Sequence, residues 1–186
     1  LAYTNATLID DDFCKEVLRV GNLAFAISVE GTEESTDARR GAGSYKNAVR
    51  AMELLKKHGC LFGMSVCYTS ENVSFVTSDE FLDTMISLGV KFGLYFNFMP
   101  VGHDAPTELI PTPAQREHMY KWLRKTRNGE TGKPLFVMDF QDDGEYVGGC
   151  IAGGRRYFHI NANGDSDPCV FIHYSDSNIR EKSLLE

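Results

Sequence analysis

The sequence predicts an α/β fold built on a parallel β-sheet. Five short apolar runs, rich in β-branched and aromatic residues and hardly alternating, alternate with stretches of helical period. Runs of that kind read as strands covered on both faces, and the βαβα order puts them in one parallel sheet. Polar residues also gather just past the ends of these runs, where parallel α/β sheets bind ligands.

The elements follow in order. The first run is "LAYT" (1–4), and a helix carrying Phe13, Val17 and Leu18 follows Asp10, a good N-cap. The run "LAFAISV" (23–29) precedes a helix placed after Ser44, with Tyr45, Ala48, Val49, Met52 and Leu55 on one face. The run "LFGMSVCYT" (61–69) precedes a helix after Ser78, marked by Phe81, Leu82, Met85 and Ile86. The run "FGLYFNFM" (92–99) precedes a helix opened by Thr112, Pro113 and Gln115, which are an N-cap, a first-turn proline and a capping-box partner. "PLFVMDF" (134–140) is the fifth strand.

After residue 140 glycines multiply and the helical period is lost. "RRYFHI" and "DPCVFI" flank the turn signal "NANGD", which predicts a β-hairpin, and the tail "SNIREKSLLE" reads as the start of a helix near Ser177 or Asn178. Residues 1–140 and 141–186 are therefore read as two parts. Five strands do not close an eight-stranded barrel. From layout alone the chain is either a complete open sheet or a barrel with part missing before Leu1. That the chain opens on Leu1, inside a strand, favours a piece of something longer.

Composition narrows the function. The net charge of -7 speaks against a nucleic-acid partner. No apolar run reaches the roughly 18 residues of a membrane span, and no signal segment opens the chain. The odd, scattered set Cys14, Cys60, Cys67, Cys150 and Cys169 does not read as a disulfide framework, so a reducing, cytoplasmic setting is expected. Cys14, Cys60 and Cys67 read as packing thiols, and His159 as a hairpin-face residue. Asp139, Asp142 and Asp143 read as solvated loop acids.

The stretch 30–43 is the richest in chemistry. Glu30, Glu33, Glu34 and Asp37 stand beside Arg39 and Arg40, with Gly41 and Gly43 before a helix start. Carboxylates can hold ribose hydroxyls, and an arginine can grip a carboxylate. The same residues equally describe a solvated loop with ordinary ion pairs. "GAGS" has no P-loop lysine and is not GxGxxG.

Several stretches together resemble the radical S-adenosylmethionine enzymes, in the branch with a cysteine-rich C-terminal extension called SPASM. "TNATLID" resembles that family's third strand and turn, "ISVEG" its fourth strand, and "STDARRGAGSYKNAVRAMELLKKHG" its helix opening His-Asp-x-x-Arg-Gly-x-Gly-Ser-Phe. "GMSVCYTSEN" resembles the fifth strand and "FNFMPVG" the sixth. The match spans nearly the whole chain, in order. Cys150, Gly164 and Cys169 satisfy the opening Cys-x(9–15)-Gly-x4-Cys of the SPASM pattern.

The resemblance implies a partial (β/α) barrel plus a C-terminal hairpin. It implies an oxidoreductase that, when intact, uses a 4Fe-4S cluster to cleave S-adenosylmethionine reductively to a 5′-deoxyadenosyl radical, which abstracts a substrate hydrogen. It implies that Ser28, Glu30, Arg40, Met99 and Asn72 bind S-adenosylmethionine, with Glu30 standing where the family has aspartate. Cys150 and Cys169 become metal ligands, the first two of an auxiliary iron–sulfur site. The family's CxxxCxxC loop is not in this chain, nor are the later SPASM cysteines, so this chain by itself is expected to be inactive and to hold no full cluster. About two βα units are expected before Leu1, leaving an exposed sheet edge at the first strand that can pair two copies as a homodimer. A peptide or protein substrate fits the SPASM branch. The sulfatase-maturating members carry aspartate after the cysteine matching Cys169; Val170 stands here, so that reaction is not carried over and no catalytic residue is assigned. Two other readings stand beside this one: a cluster-free degenerate relative acting as a binding or scaffold module, and an unrelated open α/β hydrolase or transferase, which the lack of a GxSxG elbow disfavours.

Overall fold

A computed structural model describes residues 1–183 and 185. The chain divides into two compact units, Leu1–Pro100 with Pro106–Phe140 and Val101–Ala105 with Gln141–Glu186.

The first unit is a parallel five-stranded sheet with its helices. The strands are β1 (Ala2–Thr4), β2 (Phe25–Ser28), β3 (Phe62–Tyr68), β4 (Phe92–Asn97) and β5 (Phe136–Asp139), side by side in that order. All five predicted strands are present. The helices are α1 (Asp11–Val20), α2 (Glu33–Arg40), α3 (Ser44–His58), α4 (Val73–Val76), α5 (Asp79–Leu88) and α6 (Pro113–Arg127).

Caps start most of these helices where the sequence signals them. Asp10 accepts from the Phe13 amide and Ser78 from the Phe81 amide. Thr112 and Gln115 complete the capping box of α6. Helix α3 differs from expectation. Ser44 is its first residue rather than its cap, and the cap position is Gly43, in the left-handed region with φ 82°. The capping acceptor comes from the preceding helix: the Asp37 carboxylate receives the amides of Gly43 at 2.7 Å and Tyr45 at 2.9 Å. Those two bonds hold the Asp37 carboxyl below its ordinary value of 3.8.

Side chains alternate across each strand. Phe25, Ile27, Phe62, Met64, Val66, Tyr95 and Val137 pack against the helices in one buried cluster with Met52, Leu55, Leu82, Met85, Met119 and Leu123. The opposite face carries the intervening residues. One row across it reads Ser28, Ser65, Leu94 and Met138. Nearer the carboxyl edge, Phe96 meets Tyr3 edge-on at 5.7 Å and stacks on Phe140 at 5.4 Å. On this face Tyr3 stays 52% exposed and Phe136 53%.

Asp139 is a correction. It is the last residue of β5 and is buried, not a loop acid in solvent. Cys14 and Cys60 are buried packing thiols, as expected.

The second unit is mostly turns. Its antiparallel hairpin, β6 (His159–Ile160) and β7 (Ser166–Asp167), has two residues per strand, far fewer than the flanking runs suggested. Cys169 and Ile172 form only an isolated bridge. The tail forms turns over 179–182 instead of the expected helix; Leu184 and Glu186 lie outside the described residues.

Two outcomes are expected from this packing. A Cβ on Gly63 would overlap the ring and carbonyl oxygen of Phe92 on the neighbouring strand. Gly63→Ala should lower stability by about 1–3 kcal/mol in urea titration, because strand β4 must shift. Asp37 adds a pH dependence. Its carboxyl is lower in the folded chain than in the unfolded one, so its contribution is complete above the ordinary carboxylate range and fades as pH falls below about 3.8. Asp37→Asn should therefore destabilise at neutral pH and narrow its gap to the parent in acid, read by denaturation at a series of pH values.

Candidate functional site

The site is built at the carboxyl edge of β2 and β3. Residue Glu30 lies two positions beyond Ser28, on the same side of the chain, and its side chain is 1% exposed. A buried carboxylate needs partners. The last turn of α2 supplies them: Arg40 reaches Glu30 Oε1 through Nε at 2.6 Å and Nη2 at 2.5 Å, and Arg39 Nη1 reaches the same oxygen at 2.6 Å. The second oxygen, Glu30 Oε2, is buried with no hydrogen-bond partner among the described residues.

The backbone of Glu30 is held as closely as its side chain. Its amide donates to Thr36 Oγ1 at 3.1 Å, and its carbonyl accepts from Ser35 Oγ at 3.1 Å. The same carbonyl accepts from Asn72 Nδ2 at 3.0 Å. That amide group also donates to the Cys67 carbonyl at 3.1 Å, while Asn72 Oδ1 accepts from the Thr69 amide at 2.7 Å. Asn72 thus ties the end of β2 to the end of β3, using both of its amide protons on the backbone.

Helix α2 itself forms without an apolar stripe; only Thr36 is buried. Thr32 caps it by accepting from the Ser35 amide, Glu33 and Glu34 lie in its first turn, and Arg39 and Arg40 in its last. That order of charge suits the helix dipole. Beside the cluster is a cavity of about 370 Å³ bounded by Glu30, Ser35, Arg39, Thr69, Asn72 and Phe75. Burial pushes the Cys67 thiol up, with Arg39 and Arg40 opposing the shift, so the thiol is neutral at physiological pH.

The structure brings Glu30, Arg40 and Asn72 into one bonded cluster. Ser28 closes β2 half-buried, in register with Ser65. Met99 is set apart, past the end of β4 at the same edge and 40% exposed. Arg39 and Asp37 stand in the charged stretch 30–43, but the pairing of Arg39 with Glu30 and the capping role of Asp37 are not legible in the sequence. Arg39 differed from the arginines of an ordinary exposed loop only in lying next to Arg40, and its partner lies nine residues away across a helix.

Cys150 and Cys169 lie in the second unit, exposed and half-buried, and neither is in a disulfide. Turn bonds order their surroundings. The amide of Gly153 donates to the Pro168 carbonyl at 2.8 Å, next to Cys169. Arg155 donates to the carbonyls of Val147 at 2.6 Å and Cys150 at 3.0 Å. Tyr157 Oη lies 3.3 Å from Cys169 Sγ. Burial pushes the Tyr157 phenol up, and Cys169 and Cys150 push it further. Two free thiols in one small unit suit iron–sulfur ligation by donor chemistry. Among the described residues no group of three or more His, Cys, Asp and Glu side chains is placed to hold a metal.

No family profile matches the chain. A mycofactocin maturase, MftC, of Mycobacterium ulcerans (strain Agy99) is 32% identical over 181 residues, covering 91% of this chain and 47% of the relative. The structure of Streptococcus suis SuiB bound to S-adenosylmethionine superposes with a TM-score of 0.75 at 17% identity, over 98% of this chain and 46% of that one. The structure of anSMEcpe with bound AdoMet and Cp18Cys peptide gives 0.73 at 19% identity, over 98% and 55%. The chain spans about half the length of the curated relatives it matches. The ordered motifs, the five-stranded parallel sheet and these relatives support the resemblance to the radical S-adenosylmethionine enzymes.

Proposed function

We propose that the whole protein is a radical S-adenosylmethionine oxidoreductase that abstracts a hydrogen from a peptide or protein substrate in the cytoplasm. In this reading residues 1–140 are part of its barrel and 141–186 begin a SPASM-type extension. The observation that carries it is Glu30: a buried carboxylate at a strand end, with one oxygen saturated by two arginines and the other open.

Each residue then has a task. Glu30 Oε2 accepts from ligand hydroxyls, because a buried acceptor gains most from a donor that water does not supply. The Ser28 hydroxyl, on the same side of β2, adds a second polar contact. Arg40 is anchored on Glu30 and presents its remaining guanidinium edge to the ligand's carboxylate. Met99 offers an apolar, polarizable surface for the adenine. Asn72 is named with these residues by family resemblance, and it supports the others by fixing the β2 and β3 ends. Cys150 and Cys169 would hold part of an auxiliary 4Fe-4S cluster, with further ligands from outside the described residues. The radical-generating cluster, when bound, supplies the electron that splits the sulfonium carbon–sulfur bond. The open sheet face, with its Tyr3, Phe96 and Phe140 aromatic contacts, gives that reaction an apolar wall. The peptide in the anSMEcpe complex supports a peptide substrate here. The edge position of β1 supports pairing of two copies.

The test is anaerobic reconstitution of the full-length protein, reduction, and measurement of 5′-deoxyadenosine. The parent should release it, and Arg40→Ala should lower the rate by about tenfold or more through one lost charge-assisted contact of about 1.5–3 kcal/mol. No 5′-deoxyadenosine from a fully iron-loaded parent sinks the reading and favours a binding module. Glu30→Gln should also cost this chain about 1–3 kcal/mol in urea. That is less than a fully buried pair costs, because Arg39 and Arg40 can turn their charge toward solvent.

A further inference from the structure

Tyr157 has no part in the reading above, and sequence reasoning gave it only a place in a strand. The structure puts it in a turn that organises both cysteine-bearing segments. Within that turn the amides of Arg156 and Tyr157 both donate to the Ile151 carbonyl, at 2.9 Å and 3.3 Å. The Gly154 amide donates back to the Tyr157 carbonyl at 3.1 Å. Arg155 holds the Cys150 carbonyl, and Gly153 holds the Pro168 carbonyl. The Tyr157 ring is thereby fixed with its hydroxyl 3.3 Å from Cys169 Sγ.

With a neutral thiol, either atom can be the donor. A metal-bound sulfur has no proton, so the phenol must donate and the sulfur accept. Hydrogen bonds to ligating sulfurs withdraw electron density and favour the more negative, reduced state of an iron–sulfur centre. We infer that Tyr157 is a positioning residue for the auxiliary centre: its hydroxyl donates to the ligating sulfur of Cys169 and raises the centre's reduction potential. The inference rests on the proposed role of Cys169 as an iron ligand.

The experiment uses the full-length protein, reconstituted anaerobically, as parent, Tyr157→Phe and Cys169→Ala. Iron is counted, and each protein is titrated redox-potentiometrically with EPR detection. The signal that Cys169→Ala removes is the one followed. Tyr157→Phe keeps the ring and deletes only the donor. It should retain parental iron and shift the followed centre to lower potential, by three- to tenfold in the reduction equilibrium, where tenfold is about 59 mV for one electron. An unchanged potential with iron retained overturns the inference and leaves the ligand reading intact. Loss of iron from Tyr157→Phe also overturns it, since the hydroxyl would then serve assembly. Full iron and an unchanged spectrum in Cys169→Ala remove the ligand reading, and this inference falls with it.

Discussion

The charge of Glu30 is the constraint on which the rest of the site depends. A carboxylate that is 1% exposed is stable only if its charge is matched nearby. Both matching charges come from the last turn of α2, so the helix must lie where Arg39 and Arg40 can reach back over the strand end. The backbone follows the same demand. Thr36 and Ser35, also on α2, take the amide and carbonyl of Glu30. An element with almost no apolar surface is therefore fixed by one buried anion and a few hydrogen bonds. Asp37 passes the constraint on, because the carboxylate that ends α2 begins α3.

That arrangement makes sense of the sheet's asymmetry. Helices cover one face and build the core there. On the other face the middle positions are small, with Ala26 beside Gly63 and Ser28 beside Ser65. Larger rings are kept to β1, β4 and β5 and to Phe140. Gly63 is small of necessity, since Phe92 occupies the space a methyl would need. Low side chains at the centre with aromatic contacts beside them leave room above the strand ends. That room is where a parallel sheet collects its ligand.

The sequence made the strands and the longer helices legible because apolar period and caps report burial directly. Tyr45, Ala48, Met52 and Leu55 mark α3 without help from tertiary structure. What was lost had polar causes. The segment 33–40 reads as a loop because it carries no stripe, and charge order and one threonine cap make it helical instead. Helix α4 is a single turn, too short for any period to show. The sequence predicts too long a hairpin because "RRYFHI" looks extended, whereas Arg155 and Tyr157 turn back on the chain. Asn161 Oδ1 takes the amides of Asn163 and Asp165, and this side-chain turn sets the real hairpin end. Of the candidate site, the chemical types were legible and the partnerships were not. Glu30, Arg40 and Asn72 were each picked out, but nothing in their spacing said that Asn72 would use both amide protons on the backbone.

A common device underlies both units. Where regular structure ends, a planar side chain with several donors takes over free carbonyls. Asn72 does this for Glu30 and Cys67 at the strand ends. Arg155 does it for Val147 and Cys150 in the second unit. Each such clamp sits next to a residue proposed to bind a cofactor. Regular structure cannot hold those positions, because a strand or helix that continued through them would fill the space the ligand needs. A loop fixed by one amide or guanidinium keeps the backbone still beside the neighbouring side chain, Glu30 or Cys150. Preorganisation of that kind lowers the ordering cost when a ligand arrives.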